Sequence, residues 1–245
     1  MQYGLQMYSL RDIPREREEE SFAAAAKAGY TMVELCNDYT VDDCEKLAGY
    51  LKKYKLKPIS AHVNFDELRD HYHRIAPLYR DLGVRDLIVA RSFDDKRAID
   101  EFIDQVNRLQ KRLDRDGLRL GYHNHSGEFR ATWDNIIPYP ELIRRTDMHF
   151  ELDTYWSFHA GMDSVRMMEQ MRDRIKFVHL KDGSFDGESY CAVGEGEAPV
   201  EAVRAKAIAL GMTIIVENEC LTPSGVDVIT RGINYLRRLD EIDGK

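Results

Sequence analysis

The residues with the most chemistry in this sequence stand at the ends of four short apolar runs. GYHNHSGEF (Gly121–Phe129) brings two histidines, an asparagine and a glutamate directly after the alternating run Leu118–Tyr122. FELD (Phe150–Asp153), FVHLKD (Phe177–Asp182) and IIVE (Ile214–Glu217) end the same way, in His, Asp or Glu. Imidazoles and carboxylates ligate divalent metals and carry protons near neutral pH. Side chains alternate along a strand, so residues of one phase face whatever the strands enclose. His123, Asp153, His179 and Glu217 form such a set. Two imidazoles and two carboxylates suit one divalent ion with a coordination position left open for substrate. For a single strand-end histidine, a hydrogen-bonded rim is the better explanation. Four successive strands in compatible phase turn the balance toward a site.

Such a set needs a scaffold that brings consecutive strand ends to one point. The periodicity predicts strands at Tyr3–Ser9, Thr31–Leu35, Pro58–His62, Asp86–Ala90, Leu118–Tyr122, Met148–Leu152, Ile175–Leu180 and Thr213–Val216. Helical patterns fall between and after them: Arg15–Ala28, Val41–Lys55, Asp66–Leu82, Lys96–Arg115, Tyr139–Arg145, Ser164–Arg172, Val200–Leu210 and Val226–Leu239. Gly29, Gly83, Gly117 and Gly211 each fall between a helix and the next strand, where a left-handed residue ends a helix well. Strict strand–helix alternation, repeating about every 27–37 residues, predicts parallel strands and a single (β/α)8 TIM barrel over residues 1–245. The competing open doubly wound sheet would carry a glycine fingerprint after the first strand, and Gln6–Arg11 has none. In a barrel the site lies at the C-terminal ends of the strands, where the four runs place their polar residues.

Composition narrows the partners. A formal net charge of −8 argues against a nucleic-acid backbone or an anionic membrane, since both would repel the chain. No apolar run approaches the roughly 20 residues needed to span a bilayer, and the first residues lack a secretory pattern. Cys36, Cys44, Cys191 and Cys220 have no CxxC spacing and read as free thiols. These features together predict a soluble cytoplasmic protein whose partner is a small molecule, with assembly into homo-oligomers left open.

The motifs in order resemble the sugar phosphate isomerase/epimerase family with the xylose-isomerase-like barrel. The resemblance runs through GLQMYSLR (Gly4–Arg11), GYTMVEL (Gly29–Leu35), SAHV (Ser60–Val63), GYHNHSGEF, LDTYW (Leu152–Trp156), HLKDG (His179–Gly183), GEGE (Gly194–Glu197) and IIVENE (Ile214–Glu219). It implies metal ligands at Asp153, His179 and Glu217, and places His123 where the family's fifth strand usually carries a glutamate. It also implies proton abstraction next to a carbonyl, with a metal stabilising the enediolate. Glu217 is then one catalytic base. A metal-bound imidazole accepts protons poorly, so Glu128 is expected as the second acid/base, with His123 the other candidate. Manganese is the expected ion, with zinc, cobalt and magnesium as alternatives.

Further residues are expected at the mouth. Glu34 and His62 end the second and third strands in the right phase for substrate hydroxyls, and hydrogen bonding that supports neighbouring site residues is an equal expectation for each. His125 shares the phase of His123 and could replace it as ligand or bind substrate. Lys181 could hold a substrate oxygen or pair with a carboxylate. Trp156, with Tyr155, Trp133 and Phe65, could stack on a sugar ring. Arg119 and Glu151 are expected to pair lower in the barrel, and His149 to be a core histidine. The acidic, glycine-rich loop Ser184–Ala198 has the length of a lid. The reaction expected is isomerisation or epimerisation of a sugar or keto-sugar. The alternatives are dehydration of an inosose or keto-sugar by a lyase, and a non-catalytic carbohydrate-binding barrel. No phosphate-cradling glycine loop appears.

Overall fold

The computed structural model describes residues 1–36 and 41–244. Eight parallel strands close into a barrel in sequence order: Gly4–Gln6, Met32–Leu35, Lys57–His62, Asp86–Val89, Arg119–His123, His149–Asp153, Ile175–Leu180 and Thr213–Val216. Closure is made by the first strand pairing with the eighth, Gly4 opposite Ile215. The expected (β/α)8 barrel is therefore the observed one.

The outer layer follows from the sequence pattern. Lys96–Arg115 buries Ile99, Phe102, Ile103, Val106, Leu109 and Leu113, a stripe at helical spacing that faces the strands. Its start is fixed by Asp95, whose side chain accepts from the Ala98 N–H at 2.8 Å. Gly29 and Gly211 end their helices with φ of 101° and 68°, the left-handed conformation expected of them. Inside the barrel, Ile59, Ile88, Phe177 and Ile215 form a small apolar layer. Gly121 leaves room for it: a Cβ there would stand 2.6 Å from Ile88 and 2.5 Å from His149.

Some expected boundaries differ. The first strand stops at Gln6 rather than Ser9, because Gln6 accepts the Tyr8 N–H and starts a 3-10 turn, Met7–Leu10. The helix expected over Asp66–Leu82 is two, Phe65–Asp70 and Tyr72–Asp81, broken at His71 (φ −117°, ψ 31°). A helix that was not expected, Thr154–His159, begins directly after the sixth strand. Arg119 does not pair with Glu151: it extends outward to Asp86 at 3.0 Å, and Lys176 reaches the same carboxylate at 2.6 Å. Arg119 starts its strand at the barrel's lower rim, which lets a long side chain reach solvent, whereas Glu151 lies two residues up its strand at no exposure.

The loop expected as a lid is held closely. Asp182–Gly183 pairs antiparallel with Tyr190–Cys191. The buried Asp182 carboxylate accepts N–H groups from Gly183, Gly194, Gly196 and Ala198 at 2.9–3.1 Å.

Candidate metal centre

Strand register sets the site. His123 lies opposite Glu151. Asp153 lies opposite His179. His179 in turn lies opposite Ile215, two residues before Glu217. One inward phase thus carries imidazoles and carboxylates around the mouth. His123, Asp153, His179 and Glu217 converge with one ligand atom each, all within 4.8 Å of one another, and all four side chains are buried.

Asp153 serves two structures at once. Its Oδ1 accepts the Trp156 N–H at 2.8 Å and caps the helix Thr154–His159. Its Oδ2 is buried and accepts no hydrogen bond, although the Lys181 ammonium lies 3.2 Å away. Asn124 bonds to the Asp153 backbone through both ends of its amide, at 3.1 and 3.2 Å, and so locks the fifth strand end to the sixth.

His179 faces two ways. Nδ1 lies 2.9 Å from Glu217 Oε2, while Nε2 lies 2.7 Å from Glu34 Oε1 and 3.2 Å from Glu151 Oε2. His123 behaves similarly, with Nδ1 3.1 Å from Glu151 and Nε2 3.9 Å from Asp153. His62 Nε2 lies 2.6 Å from Glu151 and 3.3 Å from Glu34. Gln6 and Ser60 donate to the two oxygens of Glu34 at 2.6 and 2.5 Å. Glu34 and His62, expected at the mouth either as substrate contacts or as hydrogen-bonding support, are packed into the cluster itself. Glu151 was expected only as an ion-pair partner. Its phase, two residues before Asp153, was the signal that it belongs here.

Charges follow from these contacts. Burial, then the neighbouring His179 and His62 rings, holds His123 well below the usual imidazole range, so its lone pair is available. Burial opposes charge on His62, yet Glu34 and Glu151 outweigh it and raise the ring to about 10. Burial likewise opposes charge on His179, and the same two carboxylates outweigh it. Glu217 is held well below the carboxylate range: burial pushes it up, but Lys181 and His179 pull it further down. Burial raises Asp153 despite Lys181.

Lys181 is fully buried, with Nζ 3.0 Å from both Glu217 and Glu219 and 5.1 Å from the centre of the Trp156 ring. Trp156 Nε1 is buried without a hydrogen-bond partner. His125 is half exposed and stands beside Trp156, 5.8 Å between ring centres. It joins neither group of converging ligands found among the described residues.

Glu128 is not brought to the cluster. Its carboxylate accepts from the Tyr122 hydroxyl at 2.9 Å and the His125 N–H at 3.1 Å. Tyr122 alternates with His123 on the strand and packs against Phe102 and Phe150, so the 3-10 turn Gly127–Phe129 carries Glu128 to the outward side. Glu128, expected as the second acid/base, thus stands outside both groups of converging ligands found among the described residues. Trp133 is 87% exposed and Phe65 is packed on Phe102, so neither joins the aromatic wall at Trp156. A cavity of about 200 Å³ lined by Met7, Leu10, Arg11, Phe22 and Cys36 includes none of the cluster residues.

The donor set fits a divalent metal: a neutral imidazole at His123, and at Asp153 a buried carboxylate oxygen with no hydrogen bond.

Residues 22–239 match the family model described as xylose isomerase-like TIM barrel. The chain is 24% identical over 195 residues to an inosose dehydratase of Geobacillus kaustophilus, covering 69% of this chain and 63% of that protein. It thus spans less than two thirds of that curated relative. The fold superposes on a sugar phosphate isomerase/epimerase of Parabacteroides distasonis with a TM-score of 0.82 at 22% identity, covering 96% of this chain and 93% of the other. A probable 3-DHS dehydratase of Bacillus anthracis superposes with a TM-score of 0.75 at 12% identity, over 97% and 99% of the two chains.

Proposed function

The chain belongs to the xylose isomerase-like TIM-barrel family, and from that premise we propose that it is a divalent-metal-dependent enzyme that isomerises or epimerises a sugar or keto-sugar. The observation that carries this reading is the convergence of His123, Asp153, His179 and Glu217 at the mouth of the barrel. These four residues would hold the ion, with manganese the first choice for a mixed imidazole and carboxylate set. When bound, the ion supplies Lewis acidity toward the oxygens of an enediolate.

The protein's own groups do the rest. Glu217 is ionised and slightly more exposed than Asp153, so it takes the proton next to the carbonyl. The Lys181 ammonium lies beside it and steadies negative charge developing on a substrate oxygen. Trp156 and His125 form one wall of the entrance and suit a polyhydroxylated ring, the indole against its apolar face and the imidazole against a hydroxyl. Four free cysteines fit a reducing, cytoplasmic setting.

A second reading is favoured by the likeness to inosose dehydratases. Dehydration starts with the same proton abstraction and then expels a β-hydroxyl as water. Product analysis on a panel of ketoses and inososes separates the two: a new sugar isomer supports the first reading, and a conjugated dione absorbing in the ultraviolet supports the second. Chelation should abolish turnover in either case. Glu217→Gln should lower it by about 10²–10⁴-fold with the circular dichroism spectrum unchanged. Full activity in Glu217→Gln would remove Glu217 as the base.

A further inference from the structure

Glu128 is a buried carboxyl that the proton transfer proposed above does not use. It is 3% exposed. Among the described residues no lysine or arginine forms an ion pair with it, and His125 Nδ1 stands 4.0 Å away. The titratable groups facing it are His125, Tyr122 and Tyr139. Tyr139 packs its ring 4.5 Å from Phe129 and keeps a buried hydroxyl that bonds nothing. Burying an unpaired carboxylate in such surroundings is strongly unfavourable, whereas a neutral acid needs only its hydrogen bonds met.

The number of available protons separates the two forms. The Tyr122 hydroxyl has one proton and two neighbours, the Arg91 carbonyl at 2.7 Å and Glu128 Oε1 at 2.9 Å. A carbonyl can only accept. An ionised Glu128 can also only accept, so one of the two contacts would lack a proton. With a proton on Oε1, Glu128 donates to Tyr122, Tyr122 donates to Arg91, and both contacts are hydrogen bonds. Oε2 remains the acceptor for the His125 N–H at 3.1 Å. Burial pushes the Glu128 carboxyl up, and the bonds from His125 and Tyr122 pull it down less.

This chain of bonds spans the segment that carries His125. Tyr122 lies in the fifth strand, its ring packed on Phe102 and Phe150, and His125 stands two residues past the strand's end at His123. The turn Gly127–Phe129 then brings the Glu128 carboxyl back onto both. His125 is half exposed and is held against Trp156, 5.8 Å between ring centres. We propose that Glu128 is a positioning residue: as a neutral acid bonded to Tyr122 and to the His125 N–H, it fixes His125 at the entrance, where the imidazole meets a sugar hydroxyl. The inference rests on the reading of Trp156 and His125 as the sugar-facing wall.

The sign of the pH dependence follows. An acid whose value is raised by folding keeps its contribution at low pH and loses it as pH rises through the folded value. Ionisation in alkali leaves Tyr122 one proton for two acceptors, and the hold on His125 weakens. Glutamine reproduces the bonding of the neutral acid, since its oxygen accepts from His125 and its NH2 donates to Tyr122.

Infrared difference spectra of wild type against Glu128→Gln at pH 7, in water and in deuterium oxide, read the proton itself. Loss of a protonated carboxyl C=O band in the variant is expected, and loss of carboxylate bands instead would overturn the proposal. Urea midpoints at pH 7 should be alike for wild type and Glu128→Gln and lower for Glu128→Ala. A midpoint in Glu128→Gln as low as in Glu128→Ala would contradict it. On whichever sugar is turned over, Glu128→Ala should raise KM about 5–10-fold with kcat changed less. Glu128→Gln should restore KM and remove the alkaline rise of KM expected of wild type. A lowered kcat in Glu128→Gln would make Glu128 an acid/base and end the positioning role. The infrared and urea measurements need no turnover, so this inference and the isomerase reading can fail separately.

Discussion

At the scale of single residues, the site is built from side chains that hold two partners at once. Asp153 caps a helix with one oxygen and offers the other to the mouth, while His179 divides its two nitrogens between upper and lower carboxylates. Trp156 carries the clearest unmet demand near the entrance, a buried indole N–H with no acceptor. A substrate hydroxyl is the natural acceptor, and one neutral hydrogen bond is worth about 1–1.5 kcal/mol. Trp156→Phe should therefore raise KM about 5–10-fold and change kcat less; steady-state kinetics on whichever sugar is turned over decide it. Asp153, His179 and Glu217 were legible in the sequence because each ends an apolar run in the inward phase. Glu151 was not read as a site residue, since nothing in one strand says how far down the cluster extends. The placing of Glu128 could not be read for a related reason: a 3-10 turn, Gly127–Phe129, sets which side of the strand it faces.

At the scale of elements, strands, helices and their order could be read from alternation and from glycine stops, and eight barrel strands stand where the pattern put them. The errors lie where a side chain redirects the backbone. Gln6 ends the first strand early, and Asp153 starts a helix that the pattern of Thr154–His159 does not announce. The loop after the seventh strand shows the same control on a larger scale. Asp182 gathers four N–H groups, and Gly196 passes so close that a Cβ would stand 2.2 Å from Asp182 Oδ1. Losing hydrogen bonds to a charged acceptor costs roughly 1.5–3 kcal/mol each, spread over a local unit rather than the whole barrel. Asp182→Ala and Gly196→Ala should both open Ser184–Ala198 to limited proteolysis at protease levels that leave the parent chain intact. Equal resistance in all three proteins would show that the loop is held by something else.

At the scale of the whole molecule, chain closure is fastened by a buried polar knot between the two ends. Asp240 accepts from the Tyr3 hydroxyl at 2.7 Å and the terminal amine of Met1 at 3.2 Å, and it pairs with Arg204, which also reaches Asp243 at 2.7 Å. Burial opposes charge on Asp240, but the Tyr3 and Arg204 hydrogen bonds outweigh it and hold its carboxyl below the usual range. A carboxyl whose pKa is lower in the folded chain adds stability above its unfolded value of about 4, and that stability is lost as pH falls through the folded value. Asp240→Asn should cost about 3 kcal/mol at pH 7, with the gap to wild type closing below about pH 4; urea midpoints across pH measure both. No helix among the described residues is long and apolar enough to cross a membrane.

The central claim is that this barrel removes a proton next to a carbonyl with Glu217 and a bound divalent ion. Proton NMR of ketoses and inososes incubated with metal-loaded protein in deuterium oxide tests it directly. The account predicts deuterium appearing at the carbon beside the carbonyl of at least one sugar, dependent on metal and absent with Glu217→Gln. A protein that holds stoichiometric metal yet exchanges no such proton on any of them would contradict it.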